Sequence, residues 1–186
     1  MLNTAEIIQE HIKVIAQLEK QIPAIEQIAA VMSTAIRNQG TIFWIGNGGS
    51  AADAQHMAAE LVGRFKTERK ALSSIALTTD TSILTSLSND YDYSIIFSRQ
   101  VEALCKPGDI VIGLSTSGNS KNVCKGLEAA KACQAITIGL TGGNGGKLIH
   151  YSDYYLMVPS HDTARIQEAH GLIGHILCGY IEACLV

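Results

Sequence analysis

Residues 41–45 read Thr-Ile-Phe-Trp-Ile and run straight into Gly46-Asn47-Gly48-Gly49-Ser50. An apolar, β-branched and aromatic run of this length predicts a buried strand. Beyond the glycines, residues 51–60 (Ala-Ala-Asp-Ala-Gln-His-Met-Ala-Ala-Glu) turn to helical spacing. A strand, a glycine turn and a helix in direct succession are the unit of a parallel α/β fold. Such a turn presents backbone N–H groups at the positive end of a helix dipole, which suits an anionic ligand. One to two turns into the helix, His56 and Glu60 stand at i and i+4 on one face. A base or metal-ligand pair beside an anion-accepting turn has the form of an active site.

The rest of the chain repeats the alternation. Helices are expected from Thr4 and over about 24–38, separated by Pro23 and closed by Gly40. Strands are expected at 41–45, 74–77, 110–114, 135–140 and 154–158. Between them fall helices over about 50–63, from an Asp80 cap to Leu87, and over 95–104, 121–133 and 163–184. Residues 65–73 read as a polar surface loop, and Asn89-Asp90-Tyr91-Asp92 as a turn. Residues 110–114 (Ile-Val-Ile-Gly-Leu) are apolar toward both sides, as a central parallel strand should be. Composition shows no break. The expectation is one domain over 1–186, with N-terminal helices in 1–40 and an αβα core in 41–186. Ligands should bind at the C-terminal ends of the strands.

Charge is sparse: 47% of the residues are hydrophobic and only 17% charged. That predicts apolar surface covered by further copies of the chain. A net charge of -3 leaves no basic footprint for nucleic acid. The five cysteines are odd in number and form no Cys-x-x-Cys pair, which suits small core residues in a reducing cytoplasm. The N-terminus lacks a signal-peptide core, and no apolar run reaches the ~18 residues of a membrane span, so neither export nor a membrane is expected.

Two segments carry the chemistry. Gly46-x-Gly48-x-x-Ala51 meets the loose dinucleotide pattern. That pattern also needs an acidic residue closing the next strand, about 20 residues on. Glu68 precedes that strand and Asp80 comes too late, so no nucleotide cofactor is expected. Residues 115–120 read Ser-Thr-Ser-Gly-Asn-Ser, four hydroxyls between a buried strand and a helix. A helix cap needs one or two. Four, with the helix's own N–H groups, can surround a phosphate without a cation.

Residues 46–60, 115–120 and the run Arg165-Ile166-Gln167-Glu168-Ala169-His170 together resemble the sugar isomerase (SIS) family, and within it the branch acting on sedoheptulose 7-phosphate. The resemblance runs over nearly the whole chain. It implies a three-layer αβα sandwich, flavodoxin/Rossmann-like, with a five-stranded parallel sheet and an N-terminal helical extension. It also implies a homotetramer with active sites at subunit boundaries. The implied reaction converts sedoheptulose 7-phosphate to D-glycero-D-manno-heptose 7-phosphate through an enediol(ate), for heptose synthesis toward lipopolysaccharide or capsule.

By that resemblance Glu60 is the base that moves the carbon-bound proton, and His175 the second acid/base group. Asn47, Gly48, Gly49, Ser50, Glu60, Asn89, Asp90 and Gln167 would hold the sugar. Ser115, Thr116, Ser117 and Ser120 would hold the phosphate. Some members bind zinc at positions matching His56, Glu60, Gln167 and His175. Gln167 and His175 are eight residues apart, about 12 Å along a helix, so they share an ion only through extended side chains or across subunits. His170 is a rival to His175. It lies about 60° from Gln167 around the helix and His175 about 80° on the other side, so helical geometry leaves both open.

The chain departs from the pattern at Ala164, where some relatives carry Asp. Arg64 and Arg165 receive no role. Two other readings remain: a non-catalytic relative that binds the replication initiator, and an isomerase of another sugar phosphate. The first lacks the residues matching Glu60 and His175. The paired His56 and Glu60, with the 165–175 segment, favour the heptose branch over the second.

Overall fold

The computed structural model describes residues 3–185. The apolar runs form five strands: β1 (Ile42–Gly46), β2 (Ser74–Ala76), β3 (Ile110–Ser115), β4 (Ile136–Gly142) and β5 (Tyr154–Val158). All pair in parallel, in the order β2-β1-β3-β4-β5. The helices are α1 (Thr4–Gln17), α2 (Ile22–Arg37), α3 (Gly49–Val62), α4 (Thr81–Asp90), α5 (Ser98–Leu104), α6 (Lys121–Ala132) and α7 (Thr163–Leu185).

Side-chain alternation along the strands sorts the core into two layers. On one face Ile42, Trp44, Ile110, Ile112, Leu114 and Ile138 pack against α2, α3 and α7 through Ile28, Met32, Met57, Leu61, Ile173 and Leu177. On the other, Phe43, Ile45 and Val111 meet α5 and α6 through Val101, Val123 and Leu127. Each such side chain contributes roughly 1.5–3 kcal/mol through removal from water. Trp44 is fully buried, and its indole N–H donates to Ser74 Oγ at 2.9 Å. α2 therefore belongs to the helical layer of the sandwich. Among the described residues no helix is long and apolar enough to cross a membrane.

Three local features differ from the sequence expectation. Pro23 sits in the first turn of α2, where its missing N–H costs nothing. The break before it is a 3-10 turn over Leu18–Gln21. Past the Asn38 cap, α2 is closed by Gln39, not Gly40, in the left-handed region (φ 63°). Gly40 N donates to Ala35 O at 2.8 Å and Gln39 N to Ile36 O at 3.0 Å, a Schellman closure. Gly40 then follows close under the helix end, where a Cβ would stand 2.9 Å from the carbonyls of Ala35 and Gly108. Finally, α4 starts at the expected Asp80 cap but continues through Asp90, so Asn89 and Asp90 form its last turn.

Where the sheet order reverses, β1 and β3 lie side by side, with Gly46 opposite Leu114. Their outgoing turns, 46–50 and 115–120, therefore open next to each other. In a doubly wound sheet that is where a ligand crevice forms.

Candidate active site at the carboxyl ends of the strands

The glycine turn is short because β1 hands the chain directly to α3. Gly49 lies against the Gln167 amide of α7, so closely that a Cβ would collide with it. This contact brings Gln167 to the start of α3. Asn47 points across the switch point. Its amide exchanges two hydrogen bonds with the Asn122 amide, at 2.9 and 2.7 Å, and its Oδ1 also accepts from the Tyr93 hydroxyl at 2.9 Å. Sequence reading missed both Asn122 and Tyr93, because neither has a motif and their role exists only across the crevice.

The hydroxyl loop is folded in on itself. Ser115 and Ser120 hydroxyls lie 2.9 Å apart, and Ser115 is buried. Ser120 is the N-cap of α6 yet makes no side-chain cap bond. Its hydroxyl faces the loop and leaves the helix start to other acceptors. The glycine-rich stretch after β4 braces this loop from behind. Leu148 N donates to Gly118 O at 2.9 Å and Lys147 N to Asn119 Oδ1 at 3.3 Å. Lys121 opens α6, and Lys125 donates to Ser94 Oγ at 2.7 Å.

Two turns further down α3, about 10 Å along its axis, stands the cluster on which the site depends. His56 Nε2 is 3.0 Å from Glu60 Oε1 and 3.4 Å from His175 Nε2. Ligand atoms of the three residues lie within 4.8 Å of one another. α3 supplies two of them as an i, i+4 pair, and α7 the third. The Met57 side chain occupies the space that a Cβ on Gly174 would need. The imidazoles of His56 and His175 meet edge to face at 4.9 Å. Two ring nitrogens and a carboxylate oxygen converge here. That donor set suits a divalent cation with nitrogen and oxygen ligands at ~2 Å.

His170, the rival on α7, is elsewhere. It is buried, and its Nε2 lies 3.2 Å from Thr141 O at the end of β4. Burial pushes its pKa down to about 4, against the weaker upward pull of that hydrogen bond. It is a neutral core histidine. The Gln167 amide lies beside Gly49 at the start of α3. Asn89 and Asp90 are exposed and bonded to each other at 2.9 Å. Ser50 is buried in the first turn of α3. Asp162 Oδ1 accepts from Ala164 N at 2.7 Å and Arg165 N at 3.3 Å, so the helix start beside Ala164 is capped without an Asp at that position. Arg165 donates to Ile7 O at 2.9 Å and pairs with Glu168, tying α1 to α7.

Asp53, one turn above His56, carried no expectation. Its Oδ2 is buried with no hydrogen-bond partner among the described residues. Burial holds its carboxyl above the usual carboxylate range, and the opposing pull of His56 is smaller. The folded-state pKa thus exceeds the unfolded 3.8, so protonation favours the fold at low pH, and that contribution is lost as pH rises through the folded value. In chelator-treated protein Asp53→Asn should be more stable than wild type at pH 7, with the gain shrinking toward pH 4. Urea unfolding at both values checks it, and an equal gain at each would refute it.

The SIS domain family profile matches residues 7–142. A phosphoheptose isomerase of Aquifex aeolicus (strain VF5) is 55% identical over 168 residues, covering 90% of this chain and 88% of its own length. Among solved structures, that of phosphoheptose isomerase from Neisseria gonorrhoeae superposes with a TM-score of 0.92 at 44% identity, covering 96% of each chain. That of a phosphoheptose isomerase from Francisella tularensis gives 0.89 at 37% identity, covering 98% of this chain and 100% of its own.

Proposed function

The chain belongs to the SIS domain family, and from that premise we propose that its crevice isomerises a heptose phosphate at the cluster of His56, Glu60 and His175. It is an enzyme, a phosphoheptose isomerase of heptose biosynthesis. The observation that carries the site is one of geometry. His56, Glu60 and His175 bring ligand atoms within 4.8 Å of one another, and the turns that leave β1 and β3 open side by side at the same end of the sheet.

In the proposed reaction Ser115, Thr116, Ser117 and Ser120 hold the phosphate of sedoheptulose 7-phosphate with the start of α6. Asn47, Gly48, Gly49, Ser50 and Gln167, with Asn89 and Asp90, hold the hydroxyls. The Glu60 carboxylate takes a proton from C1 and returns it to C2. His175 moves the oxygen-bound proton between O2 and O1. The product is the aldose D-glycero-D-manno-heptose 7-phosphate. His56, Glu60 and His175 are the residues that would hold a zinc ion, with Gln167 as the family's fourth position. A bound ion would polarise the carbonyl and steady the enediolate charge. The reading needs no nucleotide.

We also assign the protein to the cytoplasm, where its five free cysteines fit a reducing medium. We assign it to a homotetramer whose contacts cover exposed apolar side chains such as Ile8, Ile12, Leu104 and Tyr180. The replication-initiator reading is not favoured, since Glu60 and His175 are both present and meet.

Purified protein incubated with sedoheptulose 7-phosphate in deuterated water should form the aldose, with solvent deuterium at C2, read by NMR. No conversion with or without added zinc would sink the proposal.

A further inference from the structure

The Phe65 ring lies stacked on the His175 imidazole, with centroids 5.4 Å apart and planes at 21°. Phe65 belongs to the loop after α3, in a stretch where sequence reading placed only polar surface. The loop is fixed by a buried ion pair. Arg69 Nε is 3.3 Å from Glu182 Oε1 of α7, and both side chains are nearly without solvent contact.

Each partner of that pair does a second job. Glu182 accepts from three successive backbone amides, Phe65 N at 3.2 Å, Lys66 N at 2.8 Å and Thr67 N at 2.9 Å. Arg69 donates to the carbonyl of Glu60 itself at 2.8 Å and to those of Leu61 at 2.9 Å and Gly63 at 3.1 Å. One ion pair therefore pins the last turn of α3, which carries Glu60, and the backbone of Phe65, which covers His175. On the open side of the ring a cavity of about 540 Å³ is walled by Phe65, Leu172, His175, Ile176 and Tyr180. Without the phenyl ring the His175 imidazole would lose the flat surface it stacks on and border that space more widely. His175 would then be free to rotate away from His56 and Glu60.

We propose that Phe65 is a positioning residue for His175, and that the Arg69–Glu182 pair holds it in place. The inference rests on the reading that His175 acts in the isomerisation. A stacked ring sets imidazole orientation without touching substrate, so its loss is felt in the chemical step rather than in binding. Supporting contacts of this kind change activity by about 10–100-fold in comparable sites.

The test compares wild type, Phe65→Leu, Phe65→Tyr and His175→Gln as whole purified proteins. Phe65→Leu should lower kcat about 10–100-fold with KM little changed, and Phe65→Tyr, which restores a stacked ring, should recover most of it. The His175 ring protons, identified by their absence in His175→Gln, should shift downfield in Phe65→Leu as the ring current is lost. Glu182→Gln should show the same shift of the His175 signals if it folds. Wild-type kcat in Phe65→Leu together with an inactive His175→Gln would overturn the proposal and leave the role of His175 standing. An active His175→Gln would overturn that role itself. A KM rise with unchanged kcat in Phe65→Leu would make Phe65 a binding residue and also overturn it.

Discussion

Glu60→Gln is expected to lower kcat for the heptose phosphate about 10²–10⁴-fold with the fold intact, the range for removing a positioned acid–base group. Glu60 is held at its Oε1 by His56 and at its carbonyl by Arg69, and neither contact needs the carboxylate charge for the helix to form. The variant should therefore give a wild-type circular dichroism spectrum and thermal midpoint. Glutamine cannot accept the C1 proton, so deuterium exchange at C2 should fall with turnover. Metal content of wild type and variant, measured on protein never exposed to chelator or nickel resin, separates the two proposed roles of the residue. Retained zinc with lost exchange assigns Glu60 as the base. Lost zinc, with exchange restored when zinc is added in excess, assigns it chiefly as a ligand. Full activity would remove it from the mechanism.

Wild-type stability should fall by about 3 kcal/mol between neutral pH and pH 4 on account of His170 alone. Its folded-state pKa, about 4, is depressed from 6.5 by burial between α7 and β4. The neutral ring therefore contributes stability that is complete above 6.5 and lost as pH falls through 4. His170→Gln keeps a donor for Thr141 O and cannot titrate. It should cost on the order of 1 kcal/mol at pH 7 through poorer packing, with a shallower loss of stability from pH 6.5 to 4.5. Urea unfolding at several pH values measures both. Parallel curves for wild type and variant would show that the ring does not titrate in this range. His170→Gln should also keep its isomerase activity, in contrast to His175→Gln.

The layered fold was legible because parallel strands buried on both faces must be written as continuous apolar runs. Residues 110–114 are such a run, and the strand they form differs from expectation by one residue. The Asp80 cap was legible for a local reason, as a side chain that accepts its own helix's N–H. The left-handed residue that closes α2 was placed one position late, because glutamine there leaves no mark that propensity would notice.

The candidate site divides along the same line. The pairing of His56 with Glu60 follows from helical spacing, and the hydroxyl loop from its position between a strand and a helix. Both are local, and the sequence alone determined them. It also carried the family resemblance, since those motifs are contiguous. Only the tertiary structure sets His170 against β4 and His175 beside His56. On a lone helix both faces of α7 are equivalent, and the choice depends on which one packs on β4 and which one meets α3. It likewise revealed the Asn47–Asn122 bridge, the unpartnered Asp53 and the Arg69–Glu182 pair beneath Phe65. Those contacts join residues up to 117 positions apart. No local pattern encodes them, because their energy arises only once separate helices have been brought together and water has been driven from between them.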